Sequence, residues 1–223
     1  MDWKSRGTGQ MSQSCLTDSS LPIIVDASVV INLNATGCGA TVLRVLPNRV
    51  VLTDAVVAEL RTDGRTGRDD AKLVRSLIDA SLAEVAAVAD LKNSHFETLV
   101  TGSAAETLDD GEAATIALAL ESNAVAVSDD RKAVALCARR FPGLAIASTI
   151  DLLAHNAVAA ALGSPGLSDA VFAALKSARM RVPEHYEQWI LRLIGKARAM
   201  ECPSLRGALR SGHTLLPRKQ RQE

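Results

Sequence analysis

The chain has 223 residues, with 25 basic and 25 acidic side chains, 48% hydrophobic and only 3% aromatic composition. This length and apolar content suit one domain with appendages, whose core is built from Ala, Val, Leu and Ile. No apolar run approaches the roughly 20 residues of a membrane span, Met1 to Ser20 is too polar for a secretory signal, and Cys15, Cys38, Cys137 and Cys202 form no C-x-x-C pair. A cytoplasmic protein with no membrane partner, no disulfide and no cysteine-bound metal is therefore expected. The zero net charge hides an asymmetry: residues 176–223 hold 11 basic and 4 acidic residues, and residues 1–175 hold 14 and 21.

Residues 1–20 are rich in Ser, Thr, Gly and Gln and predict a disordered leader. Pro22 to Val25 is a short, mostly β-branched run ending in Asp26, and Ser28 opens a helical pattern to Asn34, so a buried strand hands over to a helix. Ala40 to Leu46 is a second helix, ended by Pro47. Arg49 to Leu52 is the next strand, and Thr53 caps a helix from Asp54 to Arg61. A charged loop, 62–68, precedes a helix from Asp69 and Asp70 to Ala80, and Glu84 to Ala89 is a weaker strand.

His95 to Gly102 reads as helical, followed by the strongest helix, Asp110 to Glu121, which Asn123 closes in a left-handed conformation. Ala124 to Val127 is a strand ending in Ser128, Asp129 and Asp130. Arg131 to Arg140 is a helix, Leu144 to Ala147 the last strand, and Thr149 to Leu162 its helix. Ser164-Pro165-Gly166 is a turn between that helix and two more, Leu167 to Arg179 and Pro183 to Met200, and the chain beyond Cys202 is expected to be loose. Near-continuous apolar strands alternating with helices predict an α/β fold in which a parallel sheet is covered on both faces. The expected organisation is a leader at 1–20, one domain at 21–162, a helical extension at 163–200 and a basic tail at 201–223.

Acids recur where such a fold does chemistry. Asp26 and the pair Asp129 and Asp130 follow strands, Glu59 lies in the helix after the second strand, and Asp109, Asp110 and Glu112 open a helix. Strand C-termini and the helix N-termini beyond them share one sheet edge, the edge at which open α/β sheets bind ligands. Carboxylates crowded there repel one another unless a hard divalent cation neutralises them, and oxygen-only donors select Mg²⁺ or Mn²⁺. Such an ion polarises phosphoryl oxygens and activates water, which makes phosphodiester hydrolysis the natural reaction. Each cluster alone also has a structural explanation, since acids are favoured in first helical turns and Asp109-x-x-Glu112 has capping-box spacing. The combined pattern carries the inference.

The stretches V-D-A-S (25–28), V-V-A-E-L (56–60), L-D-D-G-E-A-A-T-I-A-L-A (108–119) and V-S-D-D-R-K-A (127–133), in this order and spacing, resemble a PIN domain over roughly Leu21 to Leu162. The resemblance implies a three-layer α/β fold with a parallel sheet of four to five strands and an acidic nuclease centre binding Mg²⁺ or Mn²⁺. It extends to VapC-like ribonuclease toxins and to a branch with G-E-A in the third motif. By this likeness Asp26 is the first acid, Glu59 the second and Glu112 the third, while the fourth is Asp129 or Asp130, and Asp110 is a further participant. Ser28 and Ser128 would orient carboxylates or water. Position favours Asp129 as the ligand, because it lies nearest the buried strand, and Asp130 as the cap of the next helix.

The implied activity is a metal-dependent endoribonuclease, with an RNA substrate, a cognate antitoxin protein and a homodimer as partners. The long leader and the chain after Leu167 depart from small toxins. Arg131 and Lys132, beside the fourth acid, and Arg210, Arg218 and Lys219 in the basic tail are candidate phosphate contacts. His95, His155, His185 and His213 are isolated and read as packing or surface residues. The rival readings are a non-catalytic PIN-like module that binds nucleic acid or protein, and a receiver-like phosphotransfer protein. The second would need paired acids after the first strand and a Lys after the last, where this chain has Asp26 alone and Ser148-Thr149.

Overall fold

The computed structural model describes Leu16 and residues 21–62, 69–91 and 95–211. Most of the expected leader, and Arg218 and Lys219, lie outside the described residues. The elements run β1 (Ile23–Val25), α1 (Ala27–Thr36), α2 (Gly39–Val45), β2 (Val50–Thr53), α3 (Asp54–Thr62), α4 (Asp70–Asp79), β3 (Glu84–Ala86) and α5 (His95–Val100). They continue with α6 (Asp110–Glu121), β4 (Val125–Val127), α7 (Arg131–Arg140), β5 (Ile146–Ala147), α8 (Thr149–Leu153), α9 (Asn156–Ala173), α10 (Glu187–Met200) and α11 (Arg206–Ser211).

All five strands are parallel, in the order β3-β2-β1-β4-β5, so β1 is central. Its apolar run reflects two-sided burial: Ile23 and Val25 join the core on one face, and Ile24 joins the core on the other. Truncating such a residue to Ala costs about 2–5 kcal/mol. On the Ile24 side, α5, α6 and α7 supply Leu99, Ala113, Ile116, Ala117, Leu136 and Cys137. On the Ile23 side, α1, α2, α3 and α4 pack with α8, α9 and α10. These are the three layers of an α/β fold.

The chain builds β2 and β3 to one side of β1 and then returns to build β4 and β5 on the other. This reversal opens a crevice beyond the C-terminal ends of β1 and β4. Register aligns the two ends: Val25 pairs with Val127, and the Asp26 amide donates to the Val127 carbonyl at 3.0 Å. Asp26 and Ser128 therefore lie side by side.

The helices after β5 differ from the expected layout. Asn156–Ala178 is 23 residues long with a mean hydropathy of 1.4, enough by length and composition to cross a membrane. Gly163 breaks it (φ 64°, ψ 168°) where a turn was expected, and Val158, Leu167, Val171, Ala174 and Leu175 are buried in the core. The single helix expected over 149–162 is divided at Ala154 and His155, whose Nδ1 accepts from the Ala157 amide at 3.2 Å. Part of the stretch expected to be loose is ordered, because Cys202 and Leu205 insert into the main core and a further helix, α11, follows. A buried network fastens the segment just before α10 to the end of β5, as the Tyr186 hydroxyl donates to Asp151 Oδ1 at 2.7 Å and the Ser148 hydroxyl donates to Asp151 Oδ2 at 2.6 Å.

Candidate metal centre

The crevice is a cleft of about 310 Å³, and Asp26, Ser28, Glu59, Glu112, Asp129 and Asp130 all line it. Four separate segments thus converge on one place. Their source is the topology: β1 and β4 end there, and the N-terminus of α6 and the second turn of α3 lie beside them.

Asp26 is 2% exposed. Its Oδ2 accepts from the Ser28 hydroxyl at 2.7 Å and the Ser128 hydroxyl at 3.0 Å, whereas its Oδ1 is buried with no hydrogen-bond partner. Burial raises its pKa, the two serines oppose that shift, and the charge of Asp109 adds to it. Both serines expected to orient carboxylates or water thus donate to Asp26.

Helix α1 serves the cleft with one face. Ser28 and Asn32 are one turn apart, and while Ser28 holds Asp26, the Asn32 amide donates to Asp129 Oδ2 at 2.6 Å. The Asp129 amide donates to Ser28 Oγ at 3.2 Å and links the two carboxylate positions. Asp129 also accepts from the Thr149 amide (3.2 Å) and from the Thr149 hydroxyl. Both of its oxygens are thus engaged in tying β4 to α1 and α8. Burial raises its pKa, the bonds from Thr149 and Asn32 counter the rise, and the charge of Asp26 adds to it.

Asp130 caps α7, its Oδ1 accepting from the Ala133 amide at 2.8 Å. Asp109 caps α6 in a complete capping box with Glu112: Asp109 Oδ1 accepts from the Glu112 amide at 2.9 Å, and Glu112 Oε2 accepts from the Asp109 amide at 3.4 Å. The structural explanation of that spacing is therefore realised, yet Glu112 is more than a cap. Burial and then the charges of Asp109, Asp130 and Asp26 push its pKa up to about 8.

Glu59 lies on an exposed part of α3 at the cleft's rim, beside Gly111 of α6. A Cβ at position 111 would stand 2.5 Å from Glu59 Oε2, so the glycine makes room for that carboxylate. Asp110 is exposed and opens with Glu59 onto a neighbouring depression rather than the cleft, as its place two residues before Glu112 requires. Arg131 and Lys132 are exposed in the first turn of α7, and Arg210 is exposed on α11; none of the three lines the cleft.

Sequence reasoning missed Asn32, Thr149, Arg179 and Arg181. Asn32 had a signal, being the polar residue one turn after Ser28 in an otherwise apolar stretch. Arg179 and Arg181 had none, because they reach the cleft only through the packing of the C-terminal helices.

Among the described residues, no group of three or more His, Cys, Asp or Glu side chains stands in position to hold a metal ion. The donors nonetheless fit a hard cation. They are all oxygen, one buried oxygen of Asp26 lacks a partner, and a cation would relieve the mutual repulsion that adds to burial in raising the pKa of Glu112.

A family model described as PIN domain matches residues 22–196. No curated protein and no solved structure matches the chain. The match spans the parallel sheet, all four acidic segments of the cleft and most of the C-terminal helices, and by it the chain belongs to the PIN domain family.

Proposed function

We propose that this protein is a metal-dependent endoribonuclease whose Mg²⁺ or Mn²⁺ is held by Asp26, Glu112 and Asp130. The observation that carries the reading is the partnerless buried Oδ1 of Asp26 in a cleft where burial, and then the neighbouring acids, push the pKa of Glu112 up to about 8. Family membership supports it, since PIN domains are generally nucleases and typically use divalent metals. Bound there, a divalent cation supplies neutralisation of the cluster and Lewis acidity toward a phosphodiester.

The chain's own residues supply the remainder. Ser28 and Ser128 fix Asp26 Oδ2, which leaves Oδ1 directed by two hydrogen bonds it does not itself make. Asn32 and Thr149 immobilise Asp129 as the strut between β4, α1 and α8. Asp130 contributes its charge beside Glu112, and Glu112 would hold the ion as a carboxylate, its proton released to solvent on binding. Glu59 at the rim is placed to orient water or substrate. Function as a toxin with a cognate antitoxin, and a homodimeric state, belong to this same proposal, with the VapC-like motif resemblance as their support.

The test is a cleavage assay on labelled single-stranded and structured RNA, titrated with Mg²⁺ and with Mn²⁺. Cleavage should require the ion, saturate with it and stop in EDTA. Cleavage that persists in EDTA, or none with either ion, contradicts the proposal.

A further inference from the structure

Besides the acids, the cleft is lined by the chain just after α9. There the helix ends in a π-helical turn, Ala174–Ala178, and Arg179 adopts the left-handed conformation (φ 56°, ψ 36°). A non-glycine residue in that conformation is uncommon and must be held by its surroundings. The holding groups are visible. Ala174 and Leu175 are buried in the core, the Met180 amide donates to the Ala174 carbonyl at 3.3 Å, and the Ser204 hydroxyl donates to the Arg179 carbonyl at 3.1 Å.

Met180 is 1% exposed, whereas Arg179 is exposed and Arg181 half-buried, and both arginines line the cleft. The buried methionine therefore acts as a peg that sets a guanidinium on either side of it. Two cations beside a crowd of carboxylates would be expected to pair with them. Among the described residues, neither Arg179 nor Arg181 forms an ion pair with any acid. Their donors are left for something else in the cleft, and planar guanidinium forks match phosphate oxygens.

We propose that Arg179 and Arg181 form a phosphate clamp that grips the backbone of single-stranded RNA in the cleft they line together with the acids, so that the C-terminal helices complete the substrate channel. This rests on the nuclease reading above. It assigns part of the C-terminal basic asymmetry to two specific residues at the cleft, in addition to the diffuse attraction of the tail. The arginines bind non-reacting phosphates and take no part in proton transfer.

The experiment measures binding of a fluorescent single-stranded RNA to the full chain by anisotropy in EDTA, from 50 to 200 mM salt, for wild type, R179Q/R181Q and R179K/R181K. Melting temperatures of the same samples control for folding. Each phosphate contact on a single strand contributes a slope of about −0.7 in log K against log salt, so loss of two should flatten the slope by about 1.4. Over a fourfold change in salt, the wild type should thus lose about sevenfold more affinity than R179Q/R181Q. The lysine variant should keep the wild-type slope, because its charges remain, a rescue that a merely structural role would not give. With Mg²⁺ or Mn²⁺ added, the glutamine variant should raise KM and leave kcat nearly unchanged. Equal slopes for wild type and R179Q/R181Q, or no RNA binding by wild type, overturn the clamp. Wild type that cleaves RNA while the glutamine variant matches it in binding and KM overturns the clamp and leaves the nuclease reading standing. An arginine-dependent slope in a protein that cleaves nothing supports the clamp and overturns the nuclease reading.

Discussion

At the scale of single residues, Glu112 gives a pH signature with a definite sign. Its pKa is raised from 4.5 to about 8, so the folded protein holds this proton more tightly than the unfolded chain does. The resulting stability is complete below about pH 4.5 and is lost as the pH climbs toward 8; the raised Asp26 and Asp129 act in the same direction. Without metal, wild type should therefore melt lower at pH 8 than at pH 5. Glu112→Gln should match it at pH 5 and exceed it at pH 8, and identical pH profiles of the two would contradict the coupling. The adjacent aspartates separate in the same way. Asn caps a helix about as well as Asp, so Asp130→Asn should leave the melting temperature nearly unchanged while sharply lowering metal-dependent cleavage. Asp129→Asn turns an amide donor toward the donors of Asn32 or Thr149 and should cost about 1–3 kcal/mol of stability. Urea melts and single-turnover rates of the pair test both statements, and the opposite ranking would return the ligand role to Asp129.

At the scale of elements, the junction of α3 with α6 depends on Gly111. A methyl group there meets the end of an exposed, flexible glutamate rather than backbone, so Gly111→Ala should change stability by no more than about 1 kcal/mol. It should nevertheless push Glu59 away from the rim and slow cleavage on the order of 10- to 100-fold, given how steeply rate depends on placement. A rate equal to wild type would remove Glu59 from the site. Elements with local signals were legible in the sequence. Thr53 caps α3, its Oγ1 accepting from the Val56 amide at 3.3 Å, and Asn123 has the expected left-handed backbone (φ 48°). The strand ends that carry Asp26 and Asp129 were legible too, because buried parallel strands are apolar without interruption and stop abruptly at a charge. The division between α8 and α9 was not, since no Gly or Pro marks it and a histidine supplies the cap.

At the scale of the whole molecule, order after Met200 was illegible because it depends on contacts with distant helices. Cys202 and Leu205 are fully buried in a core built mainly by earlier helices, and Ser204 steadies Arg179. Removing residues 201–223 should therefore lower the melting temperature and weaken RNA binding together. Removing 212–223 keeps those contacts and should alter only the salt dependence of binding, through loss of Arg218, Lys219 and Arg221. Equal melting temperatures for the full chain and the 201–223 deletion would contradict this assignment. For the same reason the sequence marks the acids but not Arg179 and Arg181: the acids sit at positions fixed by the sheet, and the arginines at a position fixed by tertiary packing. The most direct measurement of the central claim is single-turnover RNA cleavage in Mn²⁺ by wild type and Asp26→Asn, with melting temperatures of both in EDTA. Asp26→Asn should lose cleavage by at least two orders of magnitude and melt at or above wild type without metal, since it removes a buried charge from a repelling cluster. Undiminished cleavage, or a loss of activity matched by a loss of folding, would contradict the assignment of Asp26 to the metal.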